Sequence, residues 1–359
     1  MKSGSRWRAR TAGVRAALRG RRDALLLGLA ATALAATFLR PSVPMQRSEL
    51  ELVVVLDVTQ SMNVPDQQLG GKTVSRLTHA KAALESVLSS LPCGSRLGWS
   101  FFTEYRSFLL IAPIEVCAHH RELRDALRRI DGRMAWAGNS EVAKGLNSGL
   151  QIAHTLPSRP ALVYVTDGHE APPVNPGYRP SFTVERGEVR GLVVGVGGDV
   201  PLPIPKIDPA GQVLGEWTKG EVLQVDPRSL GRGGSVAGEQ MVDPNERYVA
   251  PLPGATPGSE HLSALREDYL RLLASETGLG YVRLSDAAAL GAALLDAGLS
   301  RSVPSRLDLR GLLAAVALVA LLWPLLAVLR IRRPPRRRAA ALDELGEGLG
   351  RIAGKPVRT

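Results

Sequence analysis

Two apolar runs in the chain end in an acid. In ELVVVLDVTQSM, residues 51–62, the run Leu52–Leu56 meets Asp57, and hydroxyls follow at Thr59 and Ser61. In ALVYVTDGHE, residues 161–170, the run ends at Asp167. A third stretch, AGNSEVAKGL, residues 137–146, carries Ser140 just ahead of a helical pattern. Asp57, Thr59, Ser61, Ser140 and Asp167 form an all-oxygen set of hard ligands, suited to Mg²⁺ first and to Ca²⁺ or Mn²⁺ as alternatives, rather than to zinc. Every second residue of an extended loop points the same way, so Asp-x-Thr-x-Ser would aim three oxygens at one point. Asp57 alone reads equally well as a strand end with Ser/Thr turn bonds. The three loops together point to one divalent cation.

Strands must deliver these residues to one edge. Leu52–Leu56 is continuous apolar sequence, as expected for a strand covered on both faces. Ala80, Ala83, Leu84, Val87, Leu88 and Leu91 follow at helical spacing. Arg96–Thr103 and Ser107–Pro113 are strand-like, and Glu104-Tyr105-Arg106 reads as the turn of a hairpin. Leu123, Ala126, Leu127 and Ile130 mark a second helix, and Val142, Leu146, Leu150 and Ala153 a third. Ala161–Thr166 and Gly191–Val196 are further strands. His261–Thr277 reads as a helix, Tyr281–Leu284 as a strand and Asp286–Leu299 as a last helix. This alternation predicts an α/β fold, a doubly wound, mostly parallel sheet with one antiparallel edge strand. Ligands of such sheets bind outside the carboxyl ends of the strands, where Asp57 and Asp167 fall. Residues 197–260 break the pattern. They are rich in Gly and Pro and too long for an ordinary connection, so they form either a functional insertion or a flexible excursion.

Cys93 precedes the first hairpin strand and Cys117 follows the second. The two ends of an antiparallel hairpin are neighbours, so a disulfide is expected between them. Other candidates carry less. His119-His120 reads as a solvated helix start, because adjacent helical residues do not face one ligand. His169 and Glu170 fall beside Asp167 and either line the metal rim or belong to a polar loop. Trp136 marks a contact surface or ordinary packing. Asp57 as a phosphoryl-accepting nucleophile would want a second acid two residues on, where Thr59 stands, so no enzyme is expected.

The net charge of +11 suggests nucleic-acid binding until its distribution is read. Residues 1–40 carry +8 and residues 330–359 carry +6, which leaves −3 for residues 41–329. The basic excess lies in two tails, residues 1–23 and 330–359, each beside an apolar segment. Residues 24–39 read as a membrane signal anchor, with a cleaved signal peptide as the alternative. Residues 309–329 contain the uncharged run Gly311–Leu329 and read as a transmembrane helix. Arginine-rich flanks stay in the cytoplasm, which places the body outside it. A bacterial inner membrane with the body in the periplasm, where a disulfide can form, fits best. No nucleic-acid partner is expected.

At the level of motifs, Asp57-Val58-Thr59-Gln60-Ser61 resembles the metal-ion-dependent adhesion motif D-x-S-x-S of the von Willebrand factor A family. Ser140 stands where that family places a Thr, and Asp167 where it places its second Asp. GLVVGVGG and YLRLLASETGLGYVRL resemble the family's later strand and helix. The resemblance covers residues 48–298, with 197–260 as an insertion. Thr59 for Ser and Ser140 for Thr are departures that keep the hydroxyl. The resemblance implies a divalent cation held by these five residues, with one coordination position left for an acidic residue of a protein partner. Two bacterial groups share the layout: aerotolerance-type membrane scaffolds and accessory proteins of methanol oxidation. LPCGSRLGWSFFTEYRSFLLIAPIEVC followed by RMAWAGNSEVAKGL looks closer to the second. That implies assembly, or calcium loading, of a periplasmic methanol dehydrogenase, with the dehydrogenase or its assembly factors as partner.

Overall fold

Both faces of the run Leu52–Leu56 are covered, and the architecture follows from that. In the computed structural model, residues 4–135, 138–174, 180–208, 210–222 and 258–331 are described. The strands in chain order are β1 (Ser42–Glu49), β2 (Glu51–Asp57), β3 (Gln67–Leu69), β4 (Lys72–Val74), β5 (Arg96–Thr103), β6 (Arg106–Glu115), β7 (Ala161–Thr166), β8 (Gly191–Gly195), β9 (Leu202–Pro203), β10 (Pro205–Ile207), β11 (Val213–Glu216), β12 (Leu262–Ser263), β13 (Gly280–Arg283) and β14 (Arg301–Asp308). The helices are α1 (Gly4–Phe38), α2 (Arg76–Ser90), α3 (His120–Arg129), α4 (Val142–Thr155), α5 (Glu267–Thr277), α6 (Ala287–Asp296) and α7 (Arg310–Ile331). They divide into two compact units, Arg47–Val303 and the pair of segments Met1–Gln46 and Pro304–Thr359.

The unit Arg47–Val303 is an α/β fold around a six-stranded sheet of order β13-β8-β7-β2-β5-β6. All neighbours are parallel except the β5–β6 hairpin at one edge. Along β2 alternate residues serve opposite layers. Leu52, Val54 and Leu56 pack with Ala80, Leu84 and Leu88 of α2, Leu123 and Leu127 of α3, and Leu290 and Leu294 of α6. Val53 and Val55 pack with Leu146 and Leu150 of α4 and Leu270 and Leu273 of α5. The α4 layer lies so close to the sheet that a Cβ at Gly145 would run into the Phe102 ring. Ser75 caps α2 by accepting from the Thr78 N–H at 3.2 Å, and Asp286 caps α6 through the Ala289 N–H at 2.8 Å.

Three details depart from the sequence reading. A hairpin, β3–β4, stands between the first strand and α2, turning at Gly70-Gly71 with φ of +57° and +76°. Two such residues in succession suit the tight turn that matches strand twist. The helix expected from His261 begins at Glu267, because Leu262–Ser263 pairs with β9 instead. Residues 197–260 also carry short strands, β9, β10 and β11, before leaving the described residues at 223–257. Cys93 and Cys117 are joined in a disulfide with Cα atoms 5.3 Å apart.

In the other unit α1 and α7 pack through Ala30, Ala33, Ala317 and Ala320, while β1 and β14 form a two-stranded sheet. Among the described residues no helix is long and apolar enough to cross a membrane. The spans expected at 24–39 and 309–329 thus find no support among the described residues. In α1 seven arginines and Asp23 share the helix with the apolar run, leaving 15 uncharged residues from Ala24 to Phe38, roughly 22 Å at the helical rise against a hydrocarbon core of about 30 Å. The tail expected at 330–359 lies almost wholly outside the described residues.

Candidate metal centre

The carboxyl ends of β2 and β7 lie side by side, in parallel register, so Asp57 and Asp167 arrive at the same edge of the sheet. Both are fully buried. Asp57 Oδ1 accepts from the Thr59 N–H at 2.8 Å and from Thr59 Oγ1 at 2.7 Å. Its Oδ2 accepts from Thr166 Oγ1 at 2.6 Å. Thr59 Oγ1 lies 3.3 Å from Ser61 Oγ, and Ser61 Oγ donates to Asp167 Oδ1 at 3.2 Å. Four of the five expected ligands thus form one continuous chain, Asp57–Thr59–Ser61–Asp167. The route differs from the extended alternation expected of Asp-x-Thr-x-Ser. Thr59 is extended, but a 3₁₀ turn over Gln60–Asn63 follows and swings Ser61 round.

Ser140 is placed by the neighbouring loops. Its N–H and C=O pair with Ala171 at 2.8 Å each, and the next N–H, of Glu141, donates to the Glu104 carbonyl at 2.6 Å. Its hydroxyl is buried without a hydrogen-bond partner, and it lines one cleft with Thr59, Gln60, Ser61, Gly138 and His169. Ile204, Trp217, Val222 and Glu260, all from the 197–260 excursion, close the same cleft.

The electrostatics are those of two acids crowded away from water. Burial, then the charge of Asp167, push Asp57 up to about 7, against the bonds from Thr166 and Thr59. Burial would raise Asp167 too, but the Arg76 guanidinium holds it below the ordinary carboxylate value. Arg76 is itself buried. Its Nη1 donates to Asp167 Oδ2 at 2.6 Å and to Ser263 Oγ at 2.6 Å. Its Nε and Nη2 donate to Asp66 Oδ2 at 2.9 and 2.7 Å. Ser263 Oγ also reaches Asp167 Oδ2 at 3.0 Å. Burial pushes His169 down to about 4 and Glu170 up to about 8. Glu170 turns from the cleft to accept from Tyr269 Oη at 2.7 Å and the Ala143 N–H at 3.0 Å.

Sequence reasoning missed Arg76, Asp66, Thr166 and Ser263. A charged residue at the start of a helix reads as solvated, and nothing in its spacing announces that segments near 66, 167 and 263 will enclose it. His119 is exposed and His120 lies 3.5 Å from Ser89 Oγ, as a solvated helix start requires. Trp136 and Ala137 lie outside the described residues. Among the described residues, the group of Cys, His and carboxylate atoms close enough to hold a metal is Cys93, Glu115 and Cys117, whose sulfurs the disulfide occupies.

The set that converges is therefore made of hydroxyls backed by acids. Residues 52–169 match the von Willebrand factor type A domain. The matched segment opens in β2, closes at His169 and contains Asp57, Thr59, Ser61, Ser140 and Asp167. No curated protein matches the chain. Solved structures similar to it include an aerotolerance-related membrane protein from Bacteroides fragilis with multiple mutations to serines, 16% identical over 69% of this chain and 97% of that one, with a TM-score of 0.43. The conserved hypothetical protein BatB from Bacteroides thetaiotaomicron is 17% identical over 69% of this chain and 98% of that one, TM-score 0.43. The manganese-loaded TRAP protein of Plasmodium vivax is 11% identical over 74% of this chain and 82% of that one, TM-score 0.35. Within the matched segment, Ser140 Oγ is a buried oxygen left without a hydrogen-bond partner in the cleft, and a cation beside Thr59 and Ser61 would supply its partner.

Proposed function

We propose that this protein binds a divalent cation between Thr59, Ser61 and Ser140, with Asp57 and Asp167 behind them, and through it an acidic group of a protein partner, without catalysis. The observation that carries the reading is the buried, unbonded Ser140 hydroxyl in one cleft with Thr59 and Ser61, beside two buried acids. Leaving a buried hydroxyl unpaired costs about 1–3 kcal/mol, and two buried like charges cost more unless a cation joins them. When bound, the cation supplies a Lewis-acidic position that a carboxylate from outside can complete. The oxygen donors admit Mg²⁺, Ca²⁺ or Mn²⁺. Thermal unfolding with each ion tests this. Wild type should gain several degrees, and Asp167→Ala should gain none. An equal gain in the variant would overturn the site. Phosphoester turnover abolished by Asp57→Ala would overturn the absence of catalysis.

Two finer readings complete the proposal. The α1/α7 pair holds the domain at a membrane, with the type A domain on the periplasmic side. Leu25, Leu27, Phe38, Leu318, Val319 and Trp323 are exposed on the two helices, and arginines flank both. Release of the chain into the soluble fraction without removal of residues 1–40 and 309–359 would refute it. The partner is a periplasmic methanol dehydrogenase or its assembly machinery, a reading supported by the resemblance of residues 91–117 and 133–146 alone. Deleting the protein should then abolish methanol oxidation specifically. A general sensitivity to oxygen or envelope stress, with methanol oxidation intact, would instead favour a stress scaffold.

A further inference from the structure

His169 carries another unsatisfied group in the same cleft, as Gln60 and Trp217 also do. It follows Asp167 by two residues, and its N–H donates to Asp167 Oδ1 at 3.0 Å, which closes the turn and fixes the start of the side chain. The side chain is only 3% exposed and lines the cleft with Thr59, Ser61 and Ser140. The Glu260 backbone lies beside the ring, and Nδ1 is buried without a partner. Nothing on the protein holds a proton on Nδ1, so the neutral ring can present a lone pair there. A neutral imidazole with a free ring nitrogen is the form in which histidine binds metals.

A structural role would be served equally well by a side chain without a second nitrogen. A buried nitrogen left unbonded costs stability, and the position is two residues from an acid that the cation site requires. We infer that His169 Nδ1 is a ligand of the cation, adding one nitrogen to the hydroxyl oxygens and setting the preference of the site. This rests on the cation reading above. By themselves the oxygen donors put Mg²⁺ first. An imidazole reverses that order, because Mg²⁺ and Ca²⁺ bind nitrogen poorly while Mn²⁺ and the later divalent metals accept it. The chemical class of the ligand is thus a borderline divalent cation, with Mn²⁺ as its hard end. Glu260 of the excursion lines the cleft beside this ring, so the residue that selects the cation stands against the segment that closes the cleft.

The test is pulsed electron paramagnetic resonance of the full chain loaded with Mn²⁺ alone. The expected spectrum shows a directly coordinated ¹⁴N, replaced by a ¹⁵N pattern when the protein carries ¹⁵N-labelled histidine. His169→Gln, checked for an intact metal-free fold by its melting curve, should lose the nitrogen coupling and about tenfold of the preference for Mn²⁺ over Mg²⁺. The wild-type spectrum needs no variant, so poor folding of His169→Gln would leave the test standing. Saturable Mn²⁺ binding that Asp57→Asn abolishes, with no nitrogen coupling in wild type, would overturn the role of His169 and leave the cation site. Absence of saturable Mn²⁺ binding in wild type would overturn both.

Discussion

Burial and the neighbouring charge of Asp167 hold the Asp57 carboxyl up near neutrality, so a cation competes there with a proton. The ordinary Asp57 value of 3.8 rises to about 7 in the fold, and Glu170 rises from 4.5 to about 8. Between the unfolded and folded values the native state keeps a proton that the unfolded chain has released, so each group makes stability fall as pH rises through its window. His169, pushed down from 6.5 to about 4, works the other way, costing stability as pH drops below its ordinary value. Above about pH 6.5 the acids act unopposed by it. The metal-free melting temperature should therefore fall from about pH 6.5 to about pH 8. Asp57→Asn should remove the part of that fall below about pH 7, and saturating Mn²⁺ should lift the curve more at the alkaline end than at the acid end. A metal-free profile that rises over this interval would contradict the burial of uncompensated acids at the sheet edge. Asp167 is different because Arg76 already pairs with it. Of the two acids, Asp57 is the one that needs the cation.

The elements that bring these residues together were largely legible before folding. β5 and β7 have the expected limits, Arg96–Thr103 and Ala161–Thr166, because apolar sequence covered on both faces stops where the sheet stops. The acids at the ends of β2 and β7 were legible for the same reason. Where burial rather than periodicity holds an apolar residue, the reading failed. Ala264 and Leu265 are buried in a loop, and they lent the segment after His261 a helical look that begins in fact at Glu267. The hairpin β5–β6 was readable, and so was its staple, since Cys93 and Cys117 sit at its two open ends. That end lies at Arg96, at the start of β5, opposite the edge that carries Asp57. The disulfide closes a loop of 25 residues, given the separation of 24, and should contribute on the order of 3 kcal/mol in the chain-entropy model. A Cys93→Ser/Cys117→Ser variant should lose about that much in a denaturant titration, with its Mn²⁺ affinity unchanged. Loss of the cation response in a variant that still folds would mean that the hairpin, and not the strand ends, positions the site.

Across the molecule, one buried cation of the protein's own ties the excursion to the site. Arg76 bonds Asp167 and both the hydroxyl and the carbonyl of Ser263, at 2.6, 2.6 and 3.0 Å. Asp66, its other partner, accepts the N–H of Gly198 at 2.8 Å. Gly198 and Ser263 are the points where the chain leaves and rejoins the sheet edge, so a single guanidinium anchors both ends beside the second aspartate of the site. Between them the excursion lowers Ile204, Trp217 and Val222 onto the cleft, and Trp217 is braced by Lys206, whose Nζ lies 4.8 Å from the ring centre. Any exposed carboxylate can complete a cation site, so the choice of partner must come from the surface around it, and this segment is the part of that surface joined to the site by charge. Replacing residues 205–257 with a short Gly/Ser linker keeps Gly198, Glu260, Ser263 and the Arg76 pairs. The variant should still bind Mn²⁺ saturably, since every proposed ligand is retained, and it should no longer recover the partner that wild type recovers in a cation-dependent pull-down. Undiminished recovery by the shortened chain would place the choice of partner elsewhere on the sheet edge. Loss of Mn²⁺ binding would instead show that the excursion builds the site itself.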